Sequence, residues 1–218
     1  MRKIRFVNGG FYHIYNRGVY KSNIFNNKHD VERFLQCMDE FNTVALTGSL
    51  FENSFATPEL KAKRKAKRLV NIVAYCLNPN HYHFILEQVA ENGISQFMKR
   101  LGGGYSWYFN NRYHRSGALF QGAFKAKHIN SNEYLLYLSV YINLNNKVHK
   151  LGDLVAKLVK SSWEEYTTKQ QVQFCKKDII LGQVKSLNEY KAFALDTLPA
   201  LIQKKEQDKE FADLLFEN

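Results

Sequence analysis

Asn78-Pro79-Asn80-His81-Tyr82-His83 is the stretch on which the reading of this chain turns. Before it runs Val70-Asn71-Ile72-Val73-Ala74-Tyr75-Cys76-Leu77, rich in β-branched and aromatic residues, and after it Phe84-Ile85-Leu86. Proline presets φ for the second position of a tight turn, and asparagine suits the positions beside it. The pattern predicts a β-hairpin whose second strand opens with His81 and His83. Side chains alternate along a strand, so the two imidazoles share one face and can grip one divalent metal, while Tyr82 turns into a core.

A metal site that does chemistry needs a third ligand and a nucleophile. Glu133 to Asn145 reads as a helix, with Leu135, Leu138 and Ile142 on one stripe and Ser131 or Asn130 as N-cap. Tyr137, Tyr141 and Asn145 follow at spacings of four, one above another on its flank. Among the helix tyrosines, only Tyr141 has an amide one turn on, which selects Tyr141 with Asn145.

Charge points to the partner. The formal net charge is +11, and residues 1–150 hold 21 Lys and Arg against 9 Asp and Glu, whereas 151–218 hold 10 against 11. A basic front and a neutral tail suit a polyanion. The run Lys61-Ala62-Lys63-Arg64-Lys65-Ala66-Lys67-Arg68 reads as a solvated face or a phosphate-binding arm that leads into the histidine hairpin. Arg17, Lys61, Lys63, Arg64, Lys65, Arg112, Lys125 and Lys127 are the candidate nucleic-acid contacts. Cys37, Cys76 and Cys175 lie far apart and read as reduced core residues rather than zinc ligands. No apolar run approaches a membrane span, and Met1-Arg2-Lys3-Ile4-Arg5 is followed by no signal core, so no membrane partner is expected.

A His-hydrophobic-His strand followed by a Tyr-x-x-x-Asn helix resembles the single-tyrosine transposases of the HUH nuclease class, and among them the REP-associated tyrosine transposases. The likeness runs over about residues 6–195. It includes Tyr12-His13-Ile14-Tyr15-Asn16-Arg17-Gly18, Leu77 to His83, Tyr108-Phe109-Asn110-Asn111-Arg112, Gly117-Ala118-Leu119-Phe120-Gln121-Gly122, Tyr134 to Asn145 and Ser161-Ser162-Trp163. Two positions depart from the family pattern: Asn146 stands where a proline usually follows the helix asparagine, and Ala123 where an arginine usually follows Gln121-Gly122. The first changes how the helix ends; the second removes a phosphate contact.

The resemblance implies a metal-dependent nuclease and strand transferase for single-stranded or hairpin DNA. His81, His83 and Asn145 would hold Mg2+ or Mn2+, and Tyr141 would form a 5′-phosphotyrosine. It also implies a bacterial, cytoplasmic, nucleoid-associated protein. A homodimer is compatible with it, and oligomeric state decides whether Tyr141 serves its own metal site or a partner's. A different class of function, a single-stranded nucleic-acid-binding module without chemistry, would also use a sheet bearing aromatics and lysines. A zinc hydrolase is weaker, with Glu87 as a minor candidate base.

The remaining elements complete an α+β fold. Phe11 to Asn16 alternates as a strand, with His13 taken as a core or sheet-face residue. Asp30 to Phe41 is an amphipathic helix, residues 43–60 read as irregular, and Ile94 to Tyr113 as a helix bent or broken at Gly102-Gly103-Gly104. Leu119 to Ile129 returns as a strand. The expected architecture is a ferredoxin-like or RRM-like antiparallel sheet with helices packed on one face. Residues 1–150 would form the nuclease domain. Residues 151–218 would form a helical accessory region, with helices at Leu151 to Val159 and at Lys185 to Leu198, the latter ending before Pro199.

Overall fold

The computed structural model describes residues 4–45, 48–152, 156–168 and 174–216. Its centre is the expected hairpin: β2 (Val70–Asn78) and β3 (His81–Gln88), joined by the two-residue turn Pro79-Asn80. The Cα pairs run from Asn78 with His81 back to Val70 with Gln88, with one irregularity between Ile72 and Ala74. On the far side of β3 lies β1 (Phe11–Arg17), placing Arg17 opposite His81 and Tyr15 opposite His83. Then come β4 (Lys125–Ile129) outside β1 and the two-residue β5 (Lys160–Ser161) outside β2, giving an antiparallel sheet in the order β4-β1-β3-β2-β5.

Alternation gives the sheet two unlike faces. Tyr12, Ile14, Tyr82, Phe84 and Leu86 point one way and are buried. Against them pack α1 (Lys28–Glu40) and α4 (Gly93–Arg112), with Phe34 tilted against Tyr82 and stacked with Phe84. This is the helical layer the sequence implies. The other face, bearing His13, Tyr15, His81 and His83, is crossed by α5 (Asn132–Asn143), whose Tyr141 ring stands edge-on to His83.

Several elements differ from expectation. The glycine triplet does not break α4, which is continuous across it. At Gly104 a Cβ would fall 2.5 Å from the Phe41 ring, so the glycine permits close approach of α4 to the end of α1. Residues 50–65 are helical rather than irregular: α2 (Leu50–Ser54) begins in a Ser49/Glu52 capping box, and α3 (Pro58–Lys65) begins with Thr57 as N-cap and proline at its first position. The strand β4 is shorter than Leu119 to Ile129, because Gly122 adopts φ +69 and turns the chain; upstream, only a single bridge joins Phe120 to Gly18.

After α5 come α6 (Asn145–Val148), α7 (Trp163–Thr167), α8 (Asp178–Leu181) and α9 (Leu187–Phe216). The helix expected over Leu151 to Val159 falls partly outside the described residues. Pro199 does not end α9; it sits inside it. An interior proline costs about 3 kcal/mol, but Ala194 and Leu201, two turns apart on either side of it, are both buried and hold the helix to the body. The phenol of Tyr190 reinforces this, hydrogen-bonded within α5 to Ser139 Oγ at 3.0 Å and Asn143 Nδ2 at 2.9 Å.

Candidate active site

The turn that makes the hairpin also sets the protonation of its first histidine. Asn80 Nδ2 donates to the Lys21 carbonyl at 3.2 Å, so its Oδ1 faces His81 Nδ1 at 2.6 Å and accepts a hydrogen bond from that nitrogen, which therefore carries the ring proton. In a neutral imidazole the other nitrogen then carries a lone pair. That nitrogen, His81 Nε2, receives a hydrogen bond from Asn78 Nδ2 at 2.9 Å. The same Asn78 amide donates to Asn145 Oδ1 at 2.7 Å, and Nε2 and Oδ1 lie 3.3 Å apart. Two lone pairs thus converge on one small volume.

His83 is buried, its ring centroid 5.1 Å from that of His81. Its Nδ1 is hydrogen-bonded to His13 Nε2 at 2.9 Å, and the two rings stack with Tyr15 in one aromatic group. His13 is therefore a sheet-face residue, as the sequence favoured, but one that orients a candidate ligand. If His83 is the donor in that bond, its Nε2 is left with the lone pair.

Tyr141 reaches this group from α5, its ring centroid 5.8 Å from that of His83. Ser131 caps the helix, its Oγ accepting from Tyr134 N at 3.1 Å. The helix does not run unbroken to Asn145: Leu144, at φ −108 and ψ 18, flattens one turn and α6 starts anew. The Leu144 N–H still bonds the Val140 carbonyl at 2.9 Å, so Asn145 stays on the Tyr141 flank. Burial pushes the Tyr141 phenol above its usual pKa, and the Asn145 amide beside it pulls the other way. Asn145 Nδ2 is buried with no hydrogen-bond partner among the described residues.

The donor set suits a divalent cation. Burial, then the neighbouring charge of His149, lowers His81 to a pKa of about 4. Burial, then His13 and His81, holds His83 well below the usual range. Burial and Lys127 bring His13 to about 4. All three are neutral near pH 7, as ligation requires. Adjacent ligand atoms on an octahedral cation with bonds of 2.0–2.1 Å lie about 3 Å apart, close to the 3.3 Å between His81 Nε2 and Asn145 Oδ1. Among the described residues no cluster of three or more His, Cys, Asp or Glu could hold a metal, so this site depends on an amide oxygen.

The basic candidates fall in three places. Arg17, Lys125 and Lys127 share the histidine face: Arg17 pairs across from His81 and bonds Gln121, Lys125 faces Tyr15, and Lys127 lies 5.1 Å from the Tyr134 ring centroid. The run Lys61 to Arg68 does not adjoin the histidines. It precedes Val70, at the other end of β2, and eight strand residues span roughly 26 Å. There Lys65 pairs with Asp39 and Glu40, Arg68 with Asp39, and Arg64 donates to Asn53, while Lys63 is exposed. Arg112 lies on the opposite face, 3.6 Å from buried Asp30. Glu87 lies at the same far end of the sheet as that run and accepts from Asn71 at 2.7 Å.

Sequence reasoning missed four contributors. Asn78 and Asn80 were legible only as turn residues. His149 has its ring 5.3 Å from His81. Lys205, on α9, is near enough that its charge depresses His81, His83 and His149. No sequence pattern marks those two.

The sequence model of the family described as "Transposase IS200 like" matches residues 50–145. No curated protein matches the chain. Similar solved structures include a REP-associated tyrosine transposase bound to a REP hairpin, at 13% identity and TM-score 0.49, covering 80% of this chain and 89% of that one. Another is a candidate transposase from Deinococcus radiodurans R1, at 14% identity and TM-score 0.37, covering 62% of this chain and 91% of the other. Among the described residues no helix is long and apolar enough to cross a membrane.

Proposed function

We propose that the protein is a metal-dependent single-stranded DNA endonuclease and strand transferase acting at hairpin-containing DNA, a reading supported by the match of residues 50–145 to the family model described as "Transposase IS200 like". The observation that carries this reading is the meeting, within one chain, of the His81 and His83 rings, the Asn145 amide and the Tyr141 ring. That arrangement supports a nucleophile serving its own chain's site. Residues 1–150 take the strand-breaking role in this reading and 151–218 an accessory one.

His81, His83 and Asn145 would hold the cation, Mg2+ or Mn2+. When bound, it supplies Lewis-acid polarisation of the scissile phosphate. The chain's own residues do the rest. Tyr141 Oη attacks phosphorus, a bond forms between them, and the bond from phosphorus to the 3′ oxygen breaks. The phenol gives up its proton and the departing oxygen gains one, leaving a 5′-phosphotyrosine and a free 3′-hydroxyl. The phosphodiester energy is kept, so another 3′-hydroxyl can reverse the step. Burial makes Tyr141 reluctant to ionise, and the orphaned Asn145 amide next to it is the group placed to stabilise the phenolate. His13 and Asn80 orient the two imidazoles. Arg17, Lys125 and Lys127 line the face along which a strand would lie, and we assign them the phosphate contacts.

The test is a denaturing gel of the protein with labelled hairpin-bearing single-stranded DNA and Mn2+. A metal-dependent, SDS-resistant adduct is expected. Binding without any adduct would favour a module that holds single strands and does no chemistry.

A further inference from the structure

Asn78 is fully buried on the histidine face, and its amide bridges the two atoms proposed to hold the cation. Every polar contact it makes bears on its role. Nδ2 donates one hydrogen to Asn145 Oδ1 at 2.7 Å and the other to His81 Nε2 at 2.9 Å; Oδ1 accepts from the Cys76 thiol at 3.7 Å. Two acceptor atoms 3.3 Å apart repel unless something positive lies between them, and here the amide hydrogens serve. A cation bound to those same two atoms would face the same hydrogens, and a divalent charge does not tolerate an N–H dipole aimed at it. The amide must then leave or turn over.

Turning over is the easier course. An amide is nearly symmetric in shape, so rotation by half a turn about χ2 exchanges Oδ1 and Nδ2 with little change of volume. It would leave an oxygen where Nδ2 now stands, in a triangle with Asn145 Oδ1 and His81 Nε2 whose sides are 2.7, 2.9 and 3.3 Å. Those are close to the roughly 3 Å edges of a coordination octahedron. At the other end Nδ2 would meet the Cys76 sulfur, a weak acceptor as well as a weak donor, so that contact is kept with its direction reversed, while the two donations to Asn145 and His81 give way to the cation.

We propose that Asn78 is a further ligand of the cation: its amide donates from Nδ2 while the site is cation-free and turns to present Oδ1 when the cation enters. The inference rests on the reading that His81 and Asn145 hold that cation. It makes the hairpin turn both the keeper of the empty geometry and a member of the filled one.

Binding of Mn2+ to the full chain without DNA, followed by loss of the free-ion EPR signal, tests it. Asn78→Leu should weaken affinity and Asn78→Asp, which adds a charged oxygen, should strengthen it, each by about tenfold. Wild-type affinity in Asn78→Leu overturns the proposal, as does weakening in both variants, which would make Asn78 only a positioning donor. His81→Ala separates the two levels of the argument: if it too binds Mn2+ normally, the cation reading itself fails. Should Asn78→Leu not fold, NMR of the unaltered protein decides. The coupling across the hydrogen bond from Asn78 Nδ2 to His81 Nε2 should vanish on saturation with Mg2+, and its persistence beside shifted His81 resonances overturns the inference.

Discussion

The two ends of the β2–β3 hairpin are both polar, yet they are built on opposite principles. At the Val70–Gln88 end, α3 carries a dense cationic run, but Lys65, Arg68 and Arg64 are spent on Asp39, Glu40 and Asn53. At the Asn78–His81 end the charges of Arg17 and Lys205 stand around the site rather than in ion pairs within it. The groups at its centre are neutral and largely buried, and the lone pairs of His81 Nε2 and Asn145 Oδ1 converge on one Asn78 amide that donates to both. Charge density marks where the chain is held together; in the proposed reading, converging lone pairs mark where it acts. A histidine pair was therefore a better guide to the candidate site than six cations in eight residues.

The sharpest break of that contrast is removal of the nucleophile. Tyr141→Phe should abolish covalent capture of DNA while leaving binding near normal, read on the same denaturing gel and by a gel shift. Adducts persisting in that variant would move the nucleophile to another tyrosine, Tyr137 first. One step smaller is the loss of an orienting group. Asn80→Ala frees His81 Nδ1 from its acceptor and should cost about 10–100-fold in Mn2+ affinity, the usual effect of removing a hydrogen-bond partner behind a metal-ligating histidine. An unchanged affinity would show that the turn does not set the His81 tautomer.

Much of this was legible beforehand, for identifiable reasons. The hairpin register follows from Pro79 and from alternation, and both histidines fall on the face opposite buried Tyr82. Spacing of four brought Asn145 to Tyr141 despite the flattened turn at Leu144. The short helices α2 and α3 went unread although Ser49/Glu52 and Thr57-Pro58 are start signals, because neither segment carries an amphipathic stripe long enough to register. His13 could have been placed by parity, since it shares a face with His83 once β1 pairs with β3. His149 and Lys205 could not: both are brought in by tertiary packing of α6 and α9, which local pattern does not encode.

The neutral end also predicts a pH signature. His13 and His81 titrate at about 4 in the folded chain against 6.5 ordinarily, chiefly through burial. The unfolded chain thus binds more protons between those values, so stability rises with pH across that window and is lost as pH falls through it. Urea midpoints should fall between pH 7 and pH 5, and less steeply in His13→Gln. Equal slopes would mean that His13 is not held neutral by the fold.

The smallest effect belongs to the charged end. Asp39→Ala removes one of the two acidic partners of Lys65 and one partner of Arg68, whose side chains are about one-third exposed. Partly exposed pairs of this kind contribute about 0–1 kcal/mol each, and a domain of this size loses about 2–4 °C in Tm per kcal/mol. Arg68 also keeps its bonds to the backbone carbonyls of residues 39 and 42, and Asn42 continues to hold the start of β2 through Leu69 N and Val70 N. A fall of about 3 °C is therefore expected, shrinking at high salt as the charges are screened. Mn2+ affinity and covalent capture per folded molecule should not change. If capture fell with stability, the two ends would be coupled through β2, and the division between a holding end and an acting end would have to be abandoned.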